Sequence, residues 1–243
     1  MSCYLALALP QQIILAADSL RRIWNTEGGG ALSKPILLED ARKLHHISES
    51  CWVTGIGISG FHLVAAEAVK DFFAVSHRRQ KLTLGEVQKA VQLREAFVEA
   101  HGLILCRLEE REHPRGENVP DPRSIPTDLL LAVLTREGVP VLVRFSSGDG
   151  FLPHMLTGSG NFAHSSFSAD GYHSSSSLDL RIGEYLCVAL EQLSPLQPEA
   201  REKAADRLIP GLMAMIAKDR PGRVSASGDM VVINPAGARW SLF

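Results

Sequence analysis

Two stretches decide how this chain is read: SCYLALALPQQIILAADS at residues 2–19 and RKLHHISESCWVTGIG at residues 42–57. In the first, apolar runs at 3–9 and 12–18 flank the polar turn Pro10-Gln11-Gln12. Two strand-length runs joined in this way predict a hairpin, and the near-absence of polar residues predicts arms buried on both faces. A small hydroxyl residue, Ser2, stands immediately before the first arm, and the second arm ends in Ala17-Asp18-Ser19. In the second stretch Lys43 opens a strand predicted over 43–48. Ser48-Glu49-Ser50 turns the chain, and a strand over 51–57 ends in Gly55-Ile56-Gly57. An N-terminal hydroxyl, a carboxylate at a strand end, a lysine and a Gly-x-Gly turn thus occupy one short segment, and they are expected to converge.

Outward from these stretches, residues 20–41 read as a long connection carrying Gly28-Gly29-Gly30 and Ser33-Lys34-Pro35. Connections of that length inside a domain are more often functional than idle. Val64, Ala68, Phe72 and Val75 recur at helical spacing and predict a helix over 61–79. Thr83 with Glu86 three residues on has capping-box spacing and predicts a second helix over 84–108. Polar, proline-bearing residues 111–126 predict a loop. Strands are expected at 128–135, 139–146 and 154–158, and the Ser-rich stretch 165–177 as loop or frayed helix. Helices are expected at 180–193 and 198–218, the latter opened by Pro198. Strands at 223–226, 229–234 and 238–243 close the chain. Two helix pairs and two groups of antiparallel strands, without an internal linker, predict one domain over 1–243. The expected fold class is α/β (α+β), a four-layer α/β/β/α sandwich with each helix pair on one sheet.

Composition bounds the function. The 243 residues suffice for a substantial core, and 45% hydrophobic with 21% charged is ordinary globular usage. A formal net charge of −2 gives no electrostatic footprint for nucleic acid or a membrane surface. The four cysteines, Cys3, Cys51, Cys106 and Cys187, lack C-x-x-C spacing, so neither a metal site nor a disulfide framework is expected. Buried thiols in a reducing cytoplasm account for them better. The apolar start lacks a positive n-region and a cleavage motif and reads as a strand, and no run reaches transmembrane length.

The order of small N-terminal nucleophile, apolar hairpin, Ala17-Asp18-Ser19, Lys43-Leu44 and Gly55-Ile56-Gly57 before a helix resembles a proteasome β-type subunit. These subunits are N-terminal-nucleophile (Ntn) hydrolases, with the bacterial HslV and Anbu proteins as relatives. The resemblance is closest over residues 2–75, extends through Gly158-Ser159-Gly160, and weakens beyond. It places Ser2 at the nucleophile, where threonine is usual, with its α-amine as base once Met1 is removed. Lys43 is then the nearby cation, Asp18 its anchor and the Gly57 N–H the oxyanion donor, with Ser159 hydrogen-bonding around the α-amine. Asp219, at the end of the last long helix, and Ser227, before Gly228, match later family positions less closely because Arg220-Pro221-Gly222-Arg223 intervenes. Leu20 replaces the arginine of the family's Asp-Ser-Arg, with Arg21 beside it. Arg21, His45, Gly55 and Ser59 fall where the family lines its substrate pocket. The resemblance implies a cytoplasmic peptidase without cofactor or metal. It also implies self-association into a ring or multimer, peptide or unfolded-protein substrates, and a separate ATP-dependent unfoldase as partner. No nucleic-acid or membrane partner is implied.

Taken singly, each residue has a blander account. Serine is common at position 2, aspartate at strand ends is a frequent turn former, and Gly-x-Gly or Gly-Ser-Gly is often only a turn. Cys3 is an alternative thiol nucleophile, but its side chain is expected on the opposite strand face from Ser2. Adjacent His45 and His46 on a strand likewise face opposite sides and do not readily share an ion. Two other functions fit the same segment: a non-catalytic scaffold subunit that retains Met1, and an Ntn amidase acting on a small molecule.

Overall fold

The computed structural model describes residues 2–23, 36–58, 60–110, 122–167, 176–222 and 224–243. Its strands are β1 (Ser2–Leu9), β2 (Gln12–Asp18), β3 (Leu20–Ile23), β4 (Ile36–Glu39), β5 (His45–Ser48) and β6 (Cys51–Ile56). After these come β7 (Asp128–Leu134), β8 (Pro140–Ser146), β9 (His154–Thr157), β10 (Asn161–Phe167), β11 (Gly228–Asn234) and β12 (Gly237–Leu242). The α-helices are α1 (Phe61–Phe72), α2 (Leu84–Gln88), α3 (Leu93–Glu110), α4 (Ser176–Leu193) and α5 (Pro198–Asp219).

The four-layer α/β/β/α sandwich expected from the sequence is corrected here. The described residues form three antiparallel sheets with twelve strands, ordered β10-β1-β2-β11-β12, β3-β4 and β5-β6-β7-β8-β9, a mixed and sheet-rich arrangement. Two local causes separate it from the expectation. The segment 20–41, read as a plain connection, contributes β3 and β4, which pair with each other in a sheet of their own. The single helix expected over 84–108 is instead α2, a tighter 3-10 turn at Lys89–Gln92, and α3.

Alternation along β1 governs the packing. Cys3, Leu5, Leu7 and Leu9 face a cluster shared with α4 and α5 through Ile182, Leu186, Ile209 and Met213. Tyr4, Ala6 and Ala8 face the other way, into a cluster shared with Trp52, Ile56, Leu130 and Leu142 of the second five-stranded sheet. A third cluster packs Val53, Leu131 and Val143 against Phe61, Ala65 and Phe97 of α1 and α3. Strands covered on both faces carry apolar side chains at every position, which explains the unbroken apolar runs. A slip of one residue would exchange the two faces, so burial on both sides fixes the register.

Helix ends follow their local chemistry. The Thr83 side chain accepts from the Glu86 N–H at 3.2 Å while the Thr83 N–H donates to Glu86 Oε2 at 2.7 Å, a complete capping box. α1 stops at Phe72 rather than near 79, because Ala74 adopts a left-handed φ of 47° and its N–H turns back to Asp71 O. β10 was not expected. Its sequence NFAHSSF alternates, but serine and histidine disguise the period: Ala163 faces the sheet-to-sheet cluster, and Phe162 packs on the helix side. No helix among the described residues is long and apolar enough to cross a membrane.

Candidate active site

The end of β2 carries the centre of the site. The Asp18 carboxylate is 1% exposed and accepts four hydrogen bonds. On Oδ1 it receives the Cys3 N–H and the Lys43 ammonium, both at 2.7 Å. On Oδ2 it receives the backbone N–H groups of Leu20 at 3.2 Å and Ser225 at 3.3 Å. A buried carboxylate is tolerated when charge and hydrogen bonds replace its water, and four donors match its acceptor capacity. Lys43 is itself buried and donates a second bond to Leu20 O at 2.7 Å. Among the described residues, therefore, two of its three ammonium protons are committed. Because Cys3 directly follows Ser2, the atom that holds Lys43 also holds the backbone one residue beyond the expected nucleophile. The Ser2 side chain and Ser59 lie outside the described residues. The Ser2 backbone opens β1 opposite Phe167 of β10.

Gly57 follows β6 with φ of 115°, a region costly for residues with a Cβ. A Cβ there would lie 2.5 Å from Thr127 Oγ1 and 2.7 Å from Pro126 O, so the turn admits only glycine without displacement. Gly55 is constrained differently. A Cβ would meet Asp128 O at 2.5 Å and the His62 ring at 3.0 Å. His62 in turn lies 6.3 Å, centroid to centroid, from His45. Burial pushes the His62 imidazole down to about 4, with the His45 and Lys43 charges acting in the same direction and a backbone bond at Ile56 opposing them. Burial also lowers His45, helped by Lys70. Two of the four expected pocket residues, His45 and Gly55, are therefore brought together, by His62. Arg21 is elsewhere, in a two-pronged ion pair with Asp40 (Nε–Oδ1 3.1 Å, Nη2–Oδ2 2.7 Å).

The later expected residues divide. Ser227 lies beside the centre: its hydroxyl is 2.8 Å from Ser225 Oγ and 3.1 Å from Ser19 Oγ, and donates to Glu39 Oε2 at 3.1 Å. Its carbonyl also accepts the Ser19 N–H at 3.1 Å. Asp219 pairs with Arg181 of α4 at 3.1 Å and is not a partner of Asp18 or Lys43. Ser159 is misplaced outright. It sits in the exposed turn between β9 and β10, where the Gly160 N–H donates to Ala8 O at 2.8 Å, whereas Ser2 pairs with Phe167. The length of β1, roughly 20 Å at a strand's rise per residue, separates Ser159 from Ser2. The unrecognised strand β10 accounts for the error, since its far end, not its beginning, reaches Ser2. Cys3 is fully buried on the helix side of β1, opposite to the face carrying Tyr4, as alternation required.

Several polar residues of the region escaped the sequence reading. Ser225 supplies a ligand to Asp18 through its backbone, for which no side-chain signal exists. Asp229 was visible as a lone acid in an otherwise apolar strand. It is 4% exposed, and burial raises its pKa, opposed by Arg42, Lys43 and a hydrogen bond from Trp240. Arg42 stacks 5.4 Å over the Trp240 ring, tying the lysine-bearing segment to β12. No protein-family model matches the chain, and no curated protein matches it.

Proposed function

We propose that the protein is a proteasome-like Ntn peptidase subunit that cleaves peptide bonds with Ser2 after removal of Met1. The observation that carries this reading is the Asp18 carboxylate receiving the Cys3 N–H and the Lys43 ammonium on one oxygen, fully buried at the start of β1. An isolated surface ion pair would carry no such implication. In this reading the lysine buried on the aspartate supplies a fixed positive charge where the Ser2 alkoxide would form.

The reaction balances with the groups of this chain. The α-amine of Ser2, with a reference pKa of about 8, takes the hydroxyl proton, directly or through a water. The oxygen bonds to the substrate carbonyl carbon, and the developing oxyanion is received by the Gly57 N–H. Collapse breaks the C–N bond, the protonated amine returns its proton to the leaving amine, and an ester on Ser2 remains. Water, deprotonated by the same amine, then attacks that ester and releases the acid and the free hydroxyl. Lys43 favours both the alkoxide and a neutral amine. Ser159 has no part in this scheme, and Asp219 is left to its pair with Arg181. Self-association into a ring or multimer, peptide or unfolded-protein substrates and a separate unfoldase belong to the same proposal. The test is hydrolysis of a peptide panel by the purified chain. Ser2→Ala is expected to abolish turnover while Cys3→Ala retains it. Loss in Cys3→Ala with retention in Ser2→Ala would overturn the assignment.

A further inference from the structure

Asp128 opens β7 and is fully buried between the two five-stranded sheets. Its Oδ2 accepts the Arg144 guanidinium at 2.7 Å from β8 and the Ser165 hydroxyl at 2.9 Å from β10. It thereby joins the sheet of β1 to the sheet of β6 by charge-assisted bonds. The placement is specific to one end of the molecule. Ser165 stands directly opposite Tyr4 in the β1–β10 register, two residues from Ser2. Asp128 pairs with Ile56, the residue before Gly57, and the preceding Thr127 walls the Gly57 turn. Thr127 is held in turn by Ser147, whose side chain accepts its N–H at 2.9 Å and whose N–H donates to its carbonyl at 2.8 Å. Apolar contact between sheets is non-directional and tolerates sliding. A charge-assisted hydrogen bond has a narrow geometry and does not.

We propose that Asp128 is a positioning residue, which through Ser165 and Arg144 holds the strand carrying Ser2 in register with the turn carrying Gly57. The inference rests on the reading of Ser2 as nucleophile and Gly57 as oxyanion donor for its consequence in catalysis, but the mechanical part stands apart from that reading. Asp128 touches no reacting atom in this scheme. It acts by fixing a separation, and a misplacement of 1 Å between reacting groups costs about 10² in rate.

The test uses the full chain with Asp128→Asn and, as a milder variant that keeps the Arg144–Asp128 ion pair, Ser165→Ala. Hydrogen exchange followed by mass spectrometry reads the clamp directly, and electrophile labelling at Ser2 reads its effect. In Asp128→Asn, amides of residues 3–5 and 56–58 are expected to exchange at least about tenfold faster while those of α4 and α5 are unchanged. The maximal labelling rate should fall about 10²-fold with the electrophile's apparent affinity kept within about threefold. Ser165→Ala should show the same pattern at smaller amplitude. Unchanged exchange in both segments, or acceleration spread evenly over the chain, would overturn the proposal. If the parent protein does not label at all, the nucleophile reading fails on its own, and the exchange pattern still decides whether Asp128 clamps the two strands.

Discussion

Replacing Lys43 with methionine separates the charge from the bulk of the side chain. Methionine keeps most of the aliphatic stem, so packing changes little, but the buried Asp18 carboxylate loses its only described cationic partner. Breaking a buried pair from one side typically costs about 3–5 kcal/mol. The N–H groups of Cys3, Leu20 and Ser225 remain on the carboxylate, which places the expected cost at the lower end, about 3 kcal/mol. Leu20 O also loses its ammonium donor, adding about 1 kcal/mol. The assay is urea unfolding followed by tryptophan fluorescence. With a urea slope near about 3 kcal/mol/M, the midpoint should fall by roughly 1 M at unchanged slope. A double-mutant cycle with Asp18→Asn sharpens the result. The double variant leaves no unpaired charge, so it should be more stable than the sum of the single effects by more than about 1 kcal/mol. Strict additivity, or a Lys43→Met midpoint equal to that of the parent, would show that the pair is not the buried contact described.

Three further outcomes are expected. Gly57→Ala should slow Ser2 labelling by about 10²-fold or more, since a Cβ at φ 115° against Thr127 and Pro126 displaces the donor N–H; parental labelling would remove Gly57 from the scheme. Stability should fall as pH drops from about 6.5 to 5.5. There the unfolded chain takes a proton at His62, whereas the folded imidazole, pushed down to about 4, does not; one proton over that one pH unit amounts to about 1 kcal/mol. His62→Asn should flatten that slope, whereas Asp229, whose carboxyl is raised, acts with the opposite sign and remains in both proteins; an identical slope in His62→Asn would contradict the assignment. Static light scattering should report a mass well above that of a dimer, and a monodisperse monomer would rule out an enclosed chamber.

The legible parts of the sequence were those in which local pattern and burial agree. The apolar arms of β1 and β2, the strand ending in Gly-x-Gly and the capping box at Thr83 all form as read, because each is fixed by residues close in the chain. Asp18 and Lys43 could be paired from their strand-end positions and the family resemblance, and they meet at 2.7 Å. What failed was long-range. β10 hides a strand beneath serines and a histidine whose outer face is covered by α4 and whose inner face meets the opposite sheet. Missing it sent Ser159 to the wrong end of β1. β3 and β4 stabilise each other across the glycine-rich segment, a pairing that neither stretch announces alone. Asp219 was chosen from helix-end position, but Arg181 across the helix pair holds it. The backbone of Ser225 reaches Asp18 across more than two hundred residues of chain, a contact no local spacing encodes.

The central claim is that Ser2, freed of Met1, is the nucleophile, and peptide mapping of the protein after treatment with a hydroxyl-directed electrophile tests it most directly. The account predicts an N-terminal peptide that begins at Ser2 and carries the adduct on that residue, with no adduct in the Ser2→Ala chain. An N-terminal peptide that retains Met1 and carries no adduct would contradict it and leave a non-catalytic subunit.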